Sequence, residues 1–164
     1  MIKWESRSKI LSNLLNPAFC GEVLKRFILG YNDNSKKNVS YSHIILVLPI
    51  ILNKSTRDNL PRTTKSHLFT WIDDNEHLFI DFGEKVKDML PYTKESIMFL
   101  KLYNSLDFDS SGNIYVKPFK KNLFKGEEDV EEINEILKKA EFLGKWFSNN
   151  DDVKSLYSFL KIVP

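Results

Sequence analysis

Residues 44–52 read IILVLPIIL, nine positions without one polar side chain. No other segment limits the fold of this chain so strongly. The run is far shorter than the roughly 18–20 apolar residues that cross a bilayer, and no signal-peptide pattern precedes it at the N-terminus. It must therefore be buried in a protein core or interface, where apolar surface gains about 25 cal/mol per Å² on leaving water. The run continues to Leu52 without turn residues, which predicts a helix capped by Ser40 or Ser42. Pro49 either kinks that helix or marks an early break. A buried strand over residues 44–48 is the competing reading.

The rest of the chain can supply the core that this helix needs. Of 164 residues, 42% are hydrophobic and 13% aromatic, enough for a single domain over residues 1–164 without covalent staples. A single cysteine, Cys20, excludes an intrachain disulfide and a multi-cysteine zinc site and points to a reducing, cytoplasmic setting. A net charge of +2 gives a weak overall field, against the strong basic excess of a dedicated nucleic-acid binder, although a local patch stays open.

Along the chain the pattern is mainly helical. After a lead-in over residues 5–15, Asn16-Pro17 reads as N-cap and first helical position. Phe19, Val23, Phe27 and Tyr31 follow at i+4 spacing, beside Cys20, Leu24 and Ile28. Residues 32–39 read as a polar loop. A basic connector over residues 56–62 ends at Leu60-Pro61, and Thr63 or Thr64 is placed to cap the next helix, with Leu68, Phe69, Trp71 and Ile72. A turn at Asp73-Asp74-Asn75 leads to a helix with Leu78, Phe79, Phe82, Val86 and Met89, which Pro91 is expected to stop. Another helix then begins near Thr93, with Ile97, Leu100 and Tyr103 as its expected buried stripe. Residues 106–108 and 114–116 are strand candidates around the turn Asp109-Ser110-Ser111-Gly112-Asn113. A long helix over residues 127–147 and a short one capped by Asp151 or Asp152 complete a compact, mainly α domain with one β-hairpin. The order of helix and then hairpin is winged-helix-like, with the wing over residues 106–117.

Catalytic and metal motifs are weak by comparison. Asp107, Asp109, Ser111 and Gly112 imitate the first half of a calcium loop, but the twelfth position, which should be glutamate, is Pro118. His43, His67 and His77 lack zinc spacing. Cys20 lies near a helix N-terminus, where a thiol can be activated, and also at an apolar position, where a structural role is expected. No phosphate loop or nucleophile elbow occurs. No enzymatic activity, cofactor or metal is expected.

Binding signals remain. Lys117, Lys120 and Lys121 follow the hairpin and suit phosphate contact or a solvated basic face. Arg57 and Arg62 flank Leu60-Pro61 and suit either carboxylates on a partner or local ion pairs. Trp146 and Phe147 suit aromatic anchors, with Trp4 and Tyr157 beside them, although core burial is the default for each.

Several segments together resemble the middle component of bacterial three-component ABC-ATPase conflict systems, the group that includes the small, LmuC-like subunit of Lamassu anti-phage defence. They are Asn16-Pro17-Ala18-Phe19, residues 46–52, residues 56–61, residues 68–71, residues 140–147 (AEFLGKWF) and Val163-Pro164. No single segment is specific, whereas the ordered set covers nearly the whole chain. The resemblance implies a non-enzymatic adaptor that links an SMC- or Rad50-like ABC ATPase to an effector, often a nuclease, and restrains or releases it. DNA would be met through the assembled complex, and no membrane is involved. The alternative from another class is a winged-helix DNA-binding transcription regulator.

Overall fold

In a computed structural model, residues 15–120, 128–150 and 152–162 are described. Helix α1 (Pro17–Ser35) begins where Asn16-Pro17 predicts, and the Ala18 amide donates to the Asn16 carboxamide oxygen at 2.8 Å. It extends one turn into the expected loop, to a left-handed Lys36 with φ 59°. The reason is tertiary: the Asn34 side-chain amide donates to Ser148 and Asn149, each at 2.8 Å, which holds those polar residues in the helix.

The apolar run is helix α2 (Tyr41–Ile51), buried on nearly every side. Pro49 lies inside it, and the ladder resumes with the Leu52 amide donating to Leu48 at 2.9 Å. Ser40 occupies the N-cap position, but its hydroxyl lies 3.0 Å from Nδ1 of His43 and caps no amide. A short helix α3 (Lys54–Asp58), capped by the Asn53 side chain, replaces the expected irregular connector.

Helix α4 (Leu68–Asp74) starts later than Thr63 or Thr64 would have it, with His67 at its N-cap. The carbonyls of Thr64 and Ser66 accept from Asn149 and Trp146 instead, which fixes the preceding segment outside a helix. A 3-10 turn (Glu76–Phe79) leads into α5 (Phe82–Leu102). Pro91 does not stop this helix. The buried stripe of Phe82, Val86, Thr93, Ile97 and Leu100 runs straight through it, and burial outweighs a proline cost of about 3 kcal/mol. Thr93 and Ser96, both buried, donate back to the carbonyls of Met89 and Tyr92.

Strands β1 (Leu106–Phe108) and β2 (Ile114–Val116) form the expected antiparallel hairpin, with Asp107 opposite Tyr115. Asp109 accepts from the Ser111 and Asn113 amides at 2.9 Å, and Gly112 supplies a left-handed φ of 79°. Val39 pairs with Ile114 on its other side, so the hairpin is stitched to the segment between α1 and α2. Helix α6 (Glu128–Phe147) and helix α7 (Val153–Phe159), capped by Asp152, complete the fold. One buried cluster joins side chains from α1, α2, the hairpin and α4 to α7.

Helices α1 and α6 meet backbone to backbone. A Cβ at Gly30 would overlap the Glu141 carbonyl, and one at Gly144 would overlap that of Phe27. Glycine is required at both positions by space alone. Among the described residues, no helix is long and apolar enough to cross a membrane.

Candidate docking surfaces

Arg57 lies in α3 because Asn53 caps that short helix, and this turns the guanidinium inward. It is only 2% exposed. It donates to the Ile51 carbonyl at 3.0 Å and to the Glu132 carboxylate at 2.8 Å, with Asp58 4.0 Å away. The Ile51 carbonyl belongs to the last turn of α2, where carbonyls lack helical partners. Arg57 thus supplies that donor and ties α2 to α6. Arg62 is exposed on the irregular segment beyond. The two arginines of the connector therefore have opposite placements, and Arg57 offers no free surface to a partner.

The aromatic candidates also turn inward. Trp146 is fully buried, its indole N–H donates to the Ser66 carbonyl at 2.7 Å, and it meets Trp71 edge-on at 5.2 Å. Phe147 packs edge-on against Phe27 at 5.8 Å. Tyr157 is half-buried and donates to the Ser42 carbonyl at 2.8 Å. Trp4 lies outside the described residues.

The lysines near the hairpin are partly engaged. Lys101 and Lys117 both face Asp107, and Lys117 also donates to Asn104. The hydrogen bond from Lys101 holds the Asp107 carboxyl below its ordinary pKa. Lys120 is exposed, and Lys121 lies outside the described residues. Phe119 lies under the ammonium of Lys25, 3.9 Å from its ring centre. The calcium-like residues serve the hairpin. Asp107 pairs with these lysines, while Asp109 accepts the turn amides and the Asn38 side chain, whose bond lowers its pKa.

Cys20 is fully buried. Burial pushes its thiol up to about 12, and a hydrogen bond with Ser96 offsets only part of that. A thiol so placed is protonated at neutral pH and out of reach of a substrate. Among the described residues, no group of three or more His, Cys, Asp or Glu side chains is arranged to hold a metal.

Surfaces not singled out by sequence patterning are more open. Met98 and Leu102 stand 61% and 81% exposed one turn apart on α5, and Tyr103, expected in the buried stripe, is also exposed because the helix ends at Leu102 and leaves it at the C-cap. A second open region lies where α4, the 3-10 turn and the start of α5 meet the end of α7. Ile80, at 63% exposed, points out of the chain there. The available signal was its position between Phe79 and Phe82, off the apolar periodicity that the neighbouring residues obey.

The described chain thus combines a closed core, inward-turned polar and aromatic candidates, and two exposed apolar regions. Comparison with curated proteins and with solved structures gave no match. A family model does match, over residues 4–164: ABC-three component (ABC-3C) system Middle Component 3. With nearly its whole length covered, the chain belongs to the Middle Component 3 family of ABC-three component systems.

Proposed function

We propose that this chain is a non-enzymatic adaptor working in the cytoplasm, through which an SMC- or Rad50-like ABC ATPase is joined to an effector nuclease in a Lamassu-type anti-phage defence complex. The observation that carries the reading is family membership across residues 4–164, in a family described as the middle component of a three-part system. The placement of side chains agrees with it. The Cys20 thiol is buried and protonated, whereas large apolar side chains stand at the surface. The DNA-regulator alternative is less favoured, because Lys101 and Lys117 are directed to Asp107.

Co-expression of the three components, followed by size-exclusion chromatography with mass measurement, tests the proposal. A ternary complex that falls apart when this chain is omitted is the expected result. An ATPase and effector that assemble equally well without it would overturn the adaptor role. So would turnover of nucleic acid or nucleotide by this chain alone.

A further inference from the structure

Between α4 and α5 the chain passes through the 3-10 turn and reaches Asp81, which holds a left-handed φ of 54°. With the end of α7 alongside, these residues enclose an open cleft of about 710 Å³. Ile72 and Phe79 form its buried floor, whereas Ile80 and Phe159 are 63% and 39% exposed. Ile80 gains little from packing within this chain and leaves most of its apolar surface in water.

The rim carries four carboxylates, Asp73, Glu76, Asp81 and Glu84, against one lysine, Lys161, and one histidine, His77. Glu76 pairs with Lys161, and Glu84 with Lys87 outside the cleft. Asp73 and Asp81 have no hydrogen-bond or ion-pair partner for their side chains among the described residues. The whole chain carries +2, so this acidic concentration is a local departure from the average.

We propose that this cleft docks an apolar segment bearing lysine or arginine, contributed by another subunit of the system. The proposal rests on the middle-component reading above. Charge complementarity selects the occupant. The rim attracts ammonium and guanidinium groups, and arginine can pair bidentately with Asp73 or Asp81. The same rim repels phosphate, which disfavours nucleic acid. Apolar side chains of the segment cover Ile80 and Phe159, the arrangement of an apolar interface centre inside a polar border.

The test uses the full chain co-expressed with the other two components. A photo-crosslinking amino acid replaces Ile80 in one sample and Met98 on α5 in another. Crosslinking from position 80 is expected to capture a partner-subunit segment with lysine or arginine beside apolar residues. The Asp73→Lys/Ile80→Lys variant, altered only at exposed positions, is expected to bind that subunit at least about tenfold more weakly with an unchanged melting temperature. An intact complex whose position-80 crosslinks reach DNA, a second copy of this chain, a segment without basic residues, or nothing overturns the cleft proposal and leaves the adaptor reading standing. A folded double variant that binds with wild-type affinity does the same. If the wild-type chain forms no complex, both fall together.

Discussion

The seam between α1 and α6 and the cleft beside α5 treat glycine and apolar surface in opposite ways. In the seam, Gly30 and Gly144 let two helix backbones touch, and the large side chains of Phe27 and Tyr31 beside them are buried. In the cleft, Gly83 has nothing within 4 Å of where a Cβ would stand, and Ile80 faces solvent. One region is closed to any added atom, whereas the other has room to spare. The contrast separates what holds the chain together from what it offers to others. Close packing stabilises only where it is complete, and exposed apolar surface is tolerated where a partner covers it.

The largest predicted effect breaks the seam. Gly30→Ala or Gly144→Ala drives a methyl group into a backbone carbonyl, which no rotamer change relieves. A loss of about 3 kcal/mol or more is expected, lowering the melting temperature by roughly 6–12 °C or abolishing soluble expression. Thermal unfolding followed by circular dichroism at 222 nm measures it. A melting temperature within a degree of wild type would show that the helices can separate, and the seam would lose its role.

Next in size is the buried brace. Arg57→Ala leaves the Ile51 carbonyl and the Glu132 carboxylate without their donor and is expected to cost about 2–4 kcal/mol. Glu132 is half-exposed, with 56% of its side chain accessible, so Glu132→Gln is expected to cost under about 1 kcal/mol. Arg62→Glu changes an exposed residue and leaves the melting temperature alone. Equal losses from Arg57→Ala and Glu132→Gln in urea titrations would mean that the ion pair, rather than the bond to Ile51, carries the brace.

The cleft glycine gives a smaller effect of opposite sign. Gly83 lies in the first turn of α5 with open space around it. Gly83→Ala should stabilise by about 0.5–1 kcal/mol through helix propensity and a more restricted unfolded chain. The same substitution type thus moves stability in opposite directions in the two regions. A destabilised Gly83→Ala protein in the same thermal assay would refute the comparison.

Local chemistry was legible in the sequence, and long-range chemistry was not. Asn16-Pro17 marked the start of α1, the turn at residues 109–113 placed both strands, and Asp152 was one of the two caps named for the last helix. Each of these depends on atoms within a few positions. The last turn of α1 was missed because its support comes from Ser148 and Asn149. Pro91 stays inside α5, against the local proline rule, because a stripe buried by other helices decides there. Arg57 illustrates the same limit for function: its connector was visible, but Glu132, 75 residues away, was not. The cleft was hidden for a similar reason, since residues 72–84 and 159–161 meet only in three dimensions.

The smallest effect sharpens the comparison between carboxylates with partners and those without. Asp109 accepts from Asn38 and from the amides of its own turn, and these bonds, the Asn38 bond foremost, hold its pKa below the ordinary carboxylate value of about 3.9. A carboxyl with a depressed folded-state pKa contributes stability that is fully present above the unfolded value. That contribution disappears as pH falls through the folded value. Asp107, held down chiefly by Lys101, acts in the same direction. Stability should therefore be insensitive to these two groups from neutrality down to about pH 5 and fall below about pH 4. Asp109→Asn should shrink that acid-side fall and cost a little stability at neutral pH, where the charged acceptor is lost. In the cleft, Asp73→Asn removes a carboxylate without a partner in the described chain and should leave the urea midpoint at pH 7 unchanged. Urea midpoints for the three proteins at pH 7, together with a pH series from 3 to 7 for wild type and Asp109→Asn, decide the matter. An acid-side fall that is the same size in Asp109→Asn as in wild type would show that the hairpin turn does not depend on the ionised form. A clear neutral-pH loss in Asp73→Asn would mean that the cleft carboxylate supports the fold, and the distinction between the two regions would not hold.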